Sequence, residues 1–220
     1  MKKHKKNKGE VAYKILTPLM RFLFKVYYRP KIENKESIPK NGPIIIVCNH
    51  KHVYDQCLAI IATKRPIHYM AKKEYFDGKF AWFFKLVGCI PVNRSIHDSN
   101  AKDKAITILK NGGAIGLFPE GTRNKTNDTL LLSFKFGAVS MAQKTNATII
   151  PSALTGDYKF HSKNLIIRFG KGFKVPKDMD LKEANNRLEK EIEFMMIKNL
   201  NTTNSSIEEE IKNRHKNNKK

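Results

Sequence analysis

Negative charge is scarce in this chain: 20 Asp and Glu stand against 42 Lys and Arg, a formal net charge of +22 over 220 residues. A surface so biased is attracted to polyanions, either nucleic acid or an anionic lipid leaflet. Much of the bias is terminal. Residues 2–8 carry Lys2, Lys3, Lys5, Lys6 and Lys8, and residues 212–220 carry Lys212, Arg214, Lys216, Lys219 and Lys220, with no acid in either stretch. Cysteine is scarce as well. Cys48, Cys57 and Cys89 are odd in number and lack Cys-x-x-Cys spacing, which excludes a disulfide framework and a zinc site and predicts a reducing compartment. Long apolar runs are missing. Without about eighteen uninterrupted apolar residues, no membrane-spanning helix is predicted. The basic start is followed by no small-residue cleavage site, so no cleaved leader is predicted either. Groove-reading modules and aromatic RNA-binding signatures are absent, which argues against nucleic acid as the polyanion.

What remains is enough for one domain with its own core: 40% of the residues are hydrophobic. From Ile44 onward, short apolar runs alternate with helical patterns. Ile44–Val47, Ile67–Met70, Ile90–Val92, Ala114–Phe118, Ile149–Leu154 and Leu165–Phe169 read as strands. Tyr54–Ala62, Lys79–Val87, Asp98–Lys110 and Phe134–Gln143 read as helices. This alternation predicts an α/β fold with a mostly parallel central sheet and crossover helices. Continuous apolar strands such as Ile44–Val47 fit a sheet covered on both faces. Asp180 to Leu200 reads as a last amphipathic helix, with a polar basic tail over 201–220. No internal repeat and no second domain is visible.

Ahead of the sheet lies a basic tail, 1–10, and then an apolar segment, 11–30, interrupted by Lys14, Arg21 and Lys25. On a helix these three cations fall on one narrow stripe beside a broad apolar face. That pattern, after a Lys cluster, predicts a helix lying in a bilayer interface; the competing reading packs it on the protein's own core. Pro18 is expected to kink or split it.

Two short strings carry chemistry. Asn49-His50-Lys51-His52-Val53-Tyr54-Asp55 places His50 where a strand ends and a helix begins, with a carboxylate five residues on. If His50 is in the turn and Asp55 one turn into the helix, Asp55 can hold one ring nitrogen while the other takes a proton from a substrate hydroxyl. His52 is a rival base without a matching orienter. Cys48 is a poor nucleophile, two residues from His50 in a strand-like stretch. Phe118-Pro119-Glu120-Gly121-Thr122-Arg123 follows another strand. Gly121 permits close backbone approach, Arg123 can bind a phosphate through two hydrogen bonds, and Glu120 could hold Arg123 or a substrate hydroxyl.

The pair, with what lies between, resembles the glycerolipid acyltransferase family that includes the 1-acylglycerol-3-phosphate acyltransferases. Four blocks occur in family order over roughly residues 40–170: Asn49-His50-x4-Asp55, Gly88-Cys89-Ile90-Pro91-Val92-Asn93-Arg94, Phe118 to Asn124, and Ile149-Ile150-Pro151. Ala71-Lys72-Lys73-Glu74 and Phe134-Lys135-x-Gly137-Ala138 also match. Asn93 stands where many members carry an acid, and Ser152 where Val is common. The resemblance implies an acyltransferase domain over 31–200 with His50 as general base and Asp55 as its orienter. Arg123 and Lys72 are implied to bind the acceptor phosphate, Lys73 being less certain, with Arg94, Glu120, Gly121 and Thr122 completing the substrate site. It implies no metal and no resident cofactor. The partners would be lysophosphatidic acid, an acyl-CoA or acyl carrier protein thioester as co-substrate, and an anionic membrane met peripherally from its cytoplasmic face. A different lysolipid or glycerol 3-phosphate is the alternative acceptor, and a non-enzymatic membrane adaptor or polyanion binder the distant alternative.

Overall fold

A computed structural model describes residues 8–93, 98–126 and 129–217. The strands are β1 (Lys31–Glu33), β2 (Ile44–Cys48), β3 (Ile67–Lys72), β4 (Ile90–Val92), β5 (Ala114–Leu117), β6 (Thr148–Thr155) and β7 (Ile166–Phe169). They form one seven-stranded sheet in the order β1-β7-β6-β2-β5-β3-β4. Every pairing is parallel except β6 with β7. The helices are α1 (Lys8–Tyr27), α2 (Asp55–Ala62), α3 (Ala81–Leu86), α4 (Ser99–Lys110), α5 (Gly137–Thr145) and α6 (Leu181–Asn217). The fold is therefore the mostly parallel α/β sheet with crossover helices that the sequence predicts.

β2 sits at the centre, and all five of its residues are buried. Its side chains alternate between two cores, as the period of a strand requires. Ile45 and Val47 join Leu109, Ala138, Leu188 and Ile192 on the face covered by α4, α5 and α6. Ile44 and Ile46 join Leu58, Ile61, Ile67 and Phe169 on the α2 face, against which Met20 and Phe24 of α1 also pack. The register pairs Val47 with Leu117 of β5 and with Pro151 of β6, so the loops leaving β2 and β5 emerge side by side. After β5 the chain crosses to the opposite flank of β2 to make β6. The carboxyl ends of strands at such a reversal form the crevice where open α/β sheets bind ligands.

Three features of the helices differ from the sequence reading. α1 is one continuous helix through Pro18, which is exposed and removes a single intrahelical donor. α6 runs on past Leu200 to Asn217. Among its described side chains the last buried one is Asn199, but no Gly or Pro follows to stop the helix, and Thr202, Thr203 and Ser205 tie their hydroxyls to carbonyls four residues back. Arg21 does not join an exposed basic stripe. It turns inward, donating to Ile61 O at 2.9 Å and Thr63 O at 3.1 Å, and so satisfies carbonyls at the C-terminal end of α2.

Replacing Arg21 by Met is therefore expected to lower stability in urea unfolding by about 1.5–3 kcal/mol, the range for hydrogen bonds to a charged group. Lys25→Met should stay within about 0.5 kcal/mol, as for ordinary surface changes. Equal effects would remove the docking role of Arg21.

Candidate active site

The loop after β2 is organised around one carboxylate. Asp55, the first residue of α2, is buried, with no exposed side-chain surface. Its Oδ2 accepts from the backbone amides of Lys51 and His52, each at 2.7 Å, and contacts His50 Nδ1 at 2.8 Å. Its Oδ1 accepts from the Tyr158 hydroxyl at 2.9 Å. Two of these donors are backbone amides, so the carboxylate acts as the acceptor and Nδ1 carries the hydrogen. Nε2 of the neutral ring is then the free base. Burial, and next the Asp55 charge, raise the Tyr158 hydroxyl far above its ordinary value, which keeps it protonated and donating. Tyr158 lies 103 residues from Asp55 in sequence, and no local pattern announces it.

His50 is fixed from every side. Its ring stacks on Phe118 at 4.0 Å with planes 11° apart, and Phe118 stacks in turn on Tyr69 at 5.5 Å. Tyr69 lies over Gly116 of β5, where any Cβ would overlap its ring. The His50 backbone amide donates to Glu120 Oε1 at 2.7 Å, and its carbonyl accepts from the Asn124 amide at 2.7 Å. One residue earlier, the Asn49 side chain exchanges two hydrogen bonds with the Leu154 backbone, so it imitates a strand residue and extends the β2–β6 pairing past Cys48. Only 12% of the His50 side chain is exposed, and it lines two surface depressions.

Glu120 is buried and braces the two loops against each other. Oε1 accepts from His50 N and Oε2 from Leu132 N, at 2.7 and 2.9 Å. Burial lifts this carboxyl above the usual carboxylate range against the downward pull of those amides and of His50. Glu120 thus holds backbone amides of two loops rather than Arg123. Gly121 has φ +70°, a left-handed turn that favours glycine, and the Lys135 side chain passes over its missing Cβ.

The loop 118–123 divides two depressions that meet at His50. One, of about 320 Å³, is lined by His50, Lys72, Thr122, Arg123 and Lys125 among others, so Lys72 and Arg123, predicted 51 residues apart, share one concavity. Lys72 pairs with Glu74 at 2.8 Å, an exposed contact of little strength that leaves the ammonium available to a ligand. The other depression, of about 410 Å³, also reaches His50 and includes Gly121, Lys102 and Lys135. Lys73 lies in the 3-10 turn after β3 and lines neither, and Arg94 lies outside the described residues. His52 stacks on Tyr158 and its Nδ1 accepts from the Tyr54 amide, 3.3 Å away, so its ring orients without a carboxylate partner of its own. Cys48 is buried and burial pushes its thiol up strongly, which makes it inert. Among the described residues, no group of three His, Cys, Asp or Glu is placed to hold a metal ion.

Known proteins resemble this chain in sequence and in fold. Residues 29–155 match the sequence model of a family described as Acyltransferase. A protein of Borreliella burgdorferi named 1-acyl-sn-glycerol-3-phosphate acyltransferase is 37% identical over 142 residues, which is 63% of this chain and 56% of that protein. One of the same name from Bacillus subtilis is 33% identical over 146 residues, 66% of this chain and 71% of that protein. The chain thus aligns with little more than half the length of the first relative. In fold, the crystal structure of the 1-acyl-sn-glycerophosphate acyltransferase of Thermotoga maritima superposes with a TM-score of 0.71 at 22% identity, covering 89% of this chain and 83% of that one.

Glu120→Ala orphans the His50 and Leu132 amides and is expected to lower stability by about 1–3 kcal/mol, the cost of leaving a buried donor unpaired. Urea unfolding measures it, and an unchanged midpoint would overturn the bracing role.

Proposed function

This chain belongs to the acyltransferase family, and from that premise we propose that it moves a fatty acyl group from a thioester to the sn-2 hydroxyl of 1-acylglycerol 3-phosphate, making phosphatidic acid. The observation that carries the reading is His50. Its Nδ1 is tied to buried Asp55, and its ring stands where a cation-lined depression meets a second one. A general base so held needs only a hydroxyl on one side and an electrophile on the other.

In the proposed reaction Nε2 takes the hydroxyl proton as that oxygen attacks the thioester carbonyl. The new C–O bond forms, the C–S bond breaks as the tetrahedral adduct collapses, and the proton passes from His50 to the departing sulfur. Asp55 stabilises the imidazolium in between. Arg123, with Lys72 and Lys125 beside it, holds the acceptor's phosphate by charge-assisted hydrogen bonds. The reading requires no resident cofactor; the donor, acyl-CoA or acyl carrier protein thioester, arrives as a substrate.

Peripheral attachment to the cytoplasmic face of the membrane belongs to the same proposal, and its support is the outer face of α1. Tyr13 and Thr17 are buried and Met20 and Phe24 pack inward. On the opposite side Ile15, Leu19, Phe22 and Val26 form an exposed apolar stripe, Ile15 at 69% and Phe22 at 64%. Trp82 of α3 is 63% exposed, and Phe160, stacked edge-on against Tyr27, enlarges the patch. Soluble surfaces rarely carry such a patch, and the chain's net charge of +22 favours an anionic leaflet. Among the described residues no helix is long and apolar enough to cross a membrane.

The test is transfer from a labelled acyl thioester to lysophosphatidic acid in mixed micelles. His50→Ala and Asp55→Asn should each lower kcat by about a hundred- to ten-thousand-fold, the span for a lost general base or a wrong tautomer. Activity within a few-fold of wild type would remove His50 as the base, and transfer only to glycerol 3-phosphate or another lysolipid would change the acceptor.

A separate measurement addresses attachment. Ile15→Ser, Leu19→Ser and Phe22→Ser combined should weaken sedimentation with anionic liposomes at least about tenfold, since each buried large apolar side chain is worth about 1.5–3 kcal/mol. Undiminished binding would return α1 to a purely structural role.

A further inference from the structure

The proposed acceptor accounts for the depression that holds Arg123, but it leaves the 410 Å³ depression without an occupant. This second concavity falls within the ordinary range of small-molecule sites, about 300–1,000 Å³. Its character is distinct. Met70, Val92, Leu117 and Met141 give it an apolar wall, and two ammonium groups, Lys102 and Lys135, stand at its polar side. Lys102 is held by a hydrogen bond from Nζ to Ser140 Oγ at 3.2 Å. Lys135 is anchored by its own amide, which donates to Pro119 O at 2.9 Å, and its side chain crosses the turn at Gly121. Asp98 also lines the depression, but its carboxylate is already committed, accepting from the amides of Asn93 at 2.9 Å and Ala101 at 3.0 Å as the N-cap of α4. Those donors and nearby Lys104 hold it below the usual carboxylate range.

The two depressions also differ in what borders them. The Arg123 depression shares Gln56, Tyr69, Phe84 and Cys89 with an apolar groove of about 320 Å³ under α1. A lipid arriving along α1 therefore enters on the Arg123 side. The Lys102–Lys135 depression lies across the 118–123 loop from that groove, with α4 and α5 beside it rather than α1. A water-soluble substrate reaches His50 from here without crossing the lipid-facing patch.

We infer that this depression is the binding site for the acyl donor's carrier arm, with Lys102 and Lys135 receiving the phosphate of a 4′-phosphopantetheine group and the apolar wall receiving the start of the acyl chain. The inference rests on the acyl-transfer reading above. That arm is common to coenzyme A and acyl carrier protein, so the same two lysines serve either donor. The geometry has a plain chemical sense: the thioester carbonyl approaches His50 from one side of the 118–123 loop and the acceptor hydroxyl from the other. Lys102 and Lys135 hold the donor and are distinct from the phosphate cations of the acceptor.

The experiment compares wild type with Lys102→Ala/Lys135→Ala and Lys102→Arg/Lys135→Arg, using acyl-CoA and acyl carrier protein thioester in parallel. The alanine pair should raise the donor KM about tenfold or more with both carriers, as expected for lost charge-assisted hydrogen bonds. The acceptor KM and kcat should stay within about twofold, and the arginine pair should retain the donor KM. Arg123→Ala should show the opposite pattern, raising the acceptor KM. A non-reactive S-hexadecyl-coenzyme A thioether and S-hexadecyl-pantetheine, which has no phosphate, are titrated calorimetrically into the same proteins. The alanine pair should lose affinity for the first and bind the second like wild type. These titrations need no turnover, so they decide the site even if wild type transfers to no acceptor tested. An unchanged donor KM and thioether affinity overturns the inference. So does a shift in the acceptor KM, or a shift with acyl carrier protein alone, which would mark contact with the carrier's protein surface.

Discussion

The rest of this site depends on the burial of one carboxylate. Removing Asp55 from water disfavours its charge, and the fold answers with four contacts to the two oxygens: the Lys51 and His52 amides, the Tyr158 hydroxyl and the His50 ring. Each contact restrains something else. The two amides fold the loop after β2 into a tight turn around the carboxylate at the start of α2. Tyr158 ties that turn to the segment after β6. The remaining contact leaves the imidazole one orientation and one tautomer. The path of the loop is the one that satisfies the buried charge.

Around that point the sheet does the positioning. β2 and β5 are neighbours in parallel register, so the loops carrying His50 and Glu120 leave the sheet together and can be stitched by Glu120 and Asn124. Packing on the sheet surface also reaches the site. Gly116 gives Tyr69 room, Tyr69 supports Phe118, and Phe118 supports the His50 ring. This column of stacked rings has no counterpart in a motif, because its members come from β3, β5 and the two loops beyond β2 and β5.

Charge is distributed with the same logic. The chain is strongly basic, yet its cations do different jobs. Arg21 is spent inside, on the carbonyls at the end of α2, and Arg168 is buried with its guanidinium on Asn199 Oδ1 at 2.7 Å. Lys72, Arg123 and Lys125 gather in one depression, Lys102 and Lys135 in the other. With Arg21 turned inward, the outer face of α1 keeps Ile15, Leu19, Phe22 and Val26 exposed, and Phe160 packs against Tyr27 at its C-terminal end.

The sequence by itself determined the α/β class, most of the elements to within one to three residues, and the identity of His50, Asp55 and Arg123 as the residues to watch. It could do so because those features are local: a strand's apolar run, a helix's period, a His and an Asp five residues apart. β1 escaped notice, being only three residues long with one charged residue at each end. The end of α6 was misjudged because apolar periodicity stops where burial stops, while the backbone continues wherever nothing breaks it. Only tertiary structure decided that Tyr158 completes the Asp55 site, that Glu120 braces backbone amides, that Arg21 points inward, and that two depressions converge on one imidazole. Each depends on side chains brought together across the sheet, from segments as far as 103 residues apart. Contacts at that separation are set by strand order and register, which no window of the sequence contains.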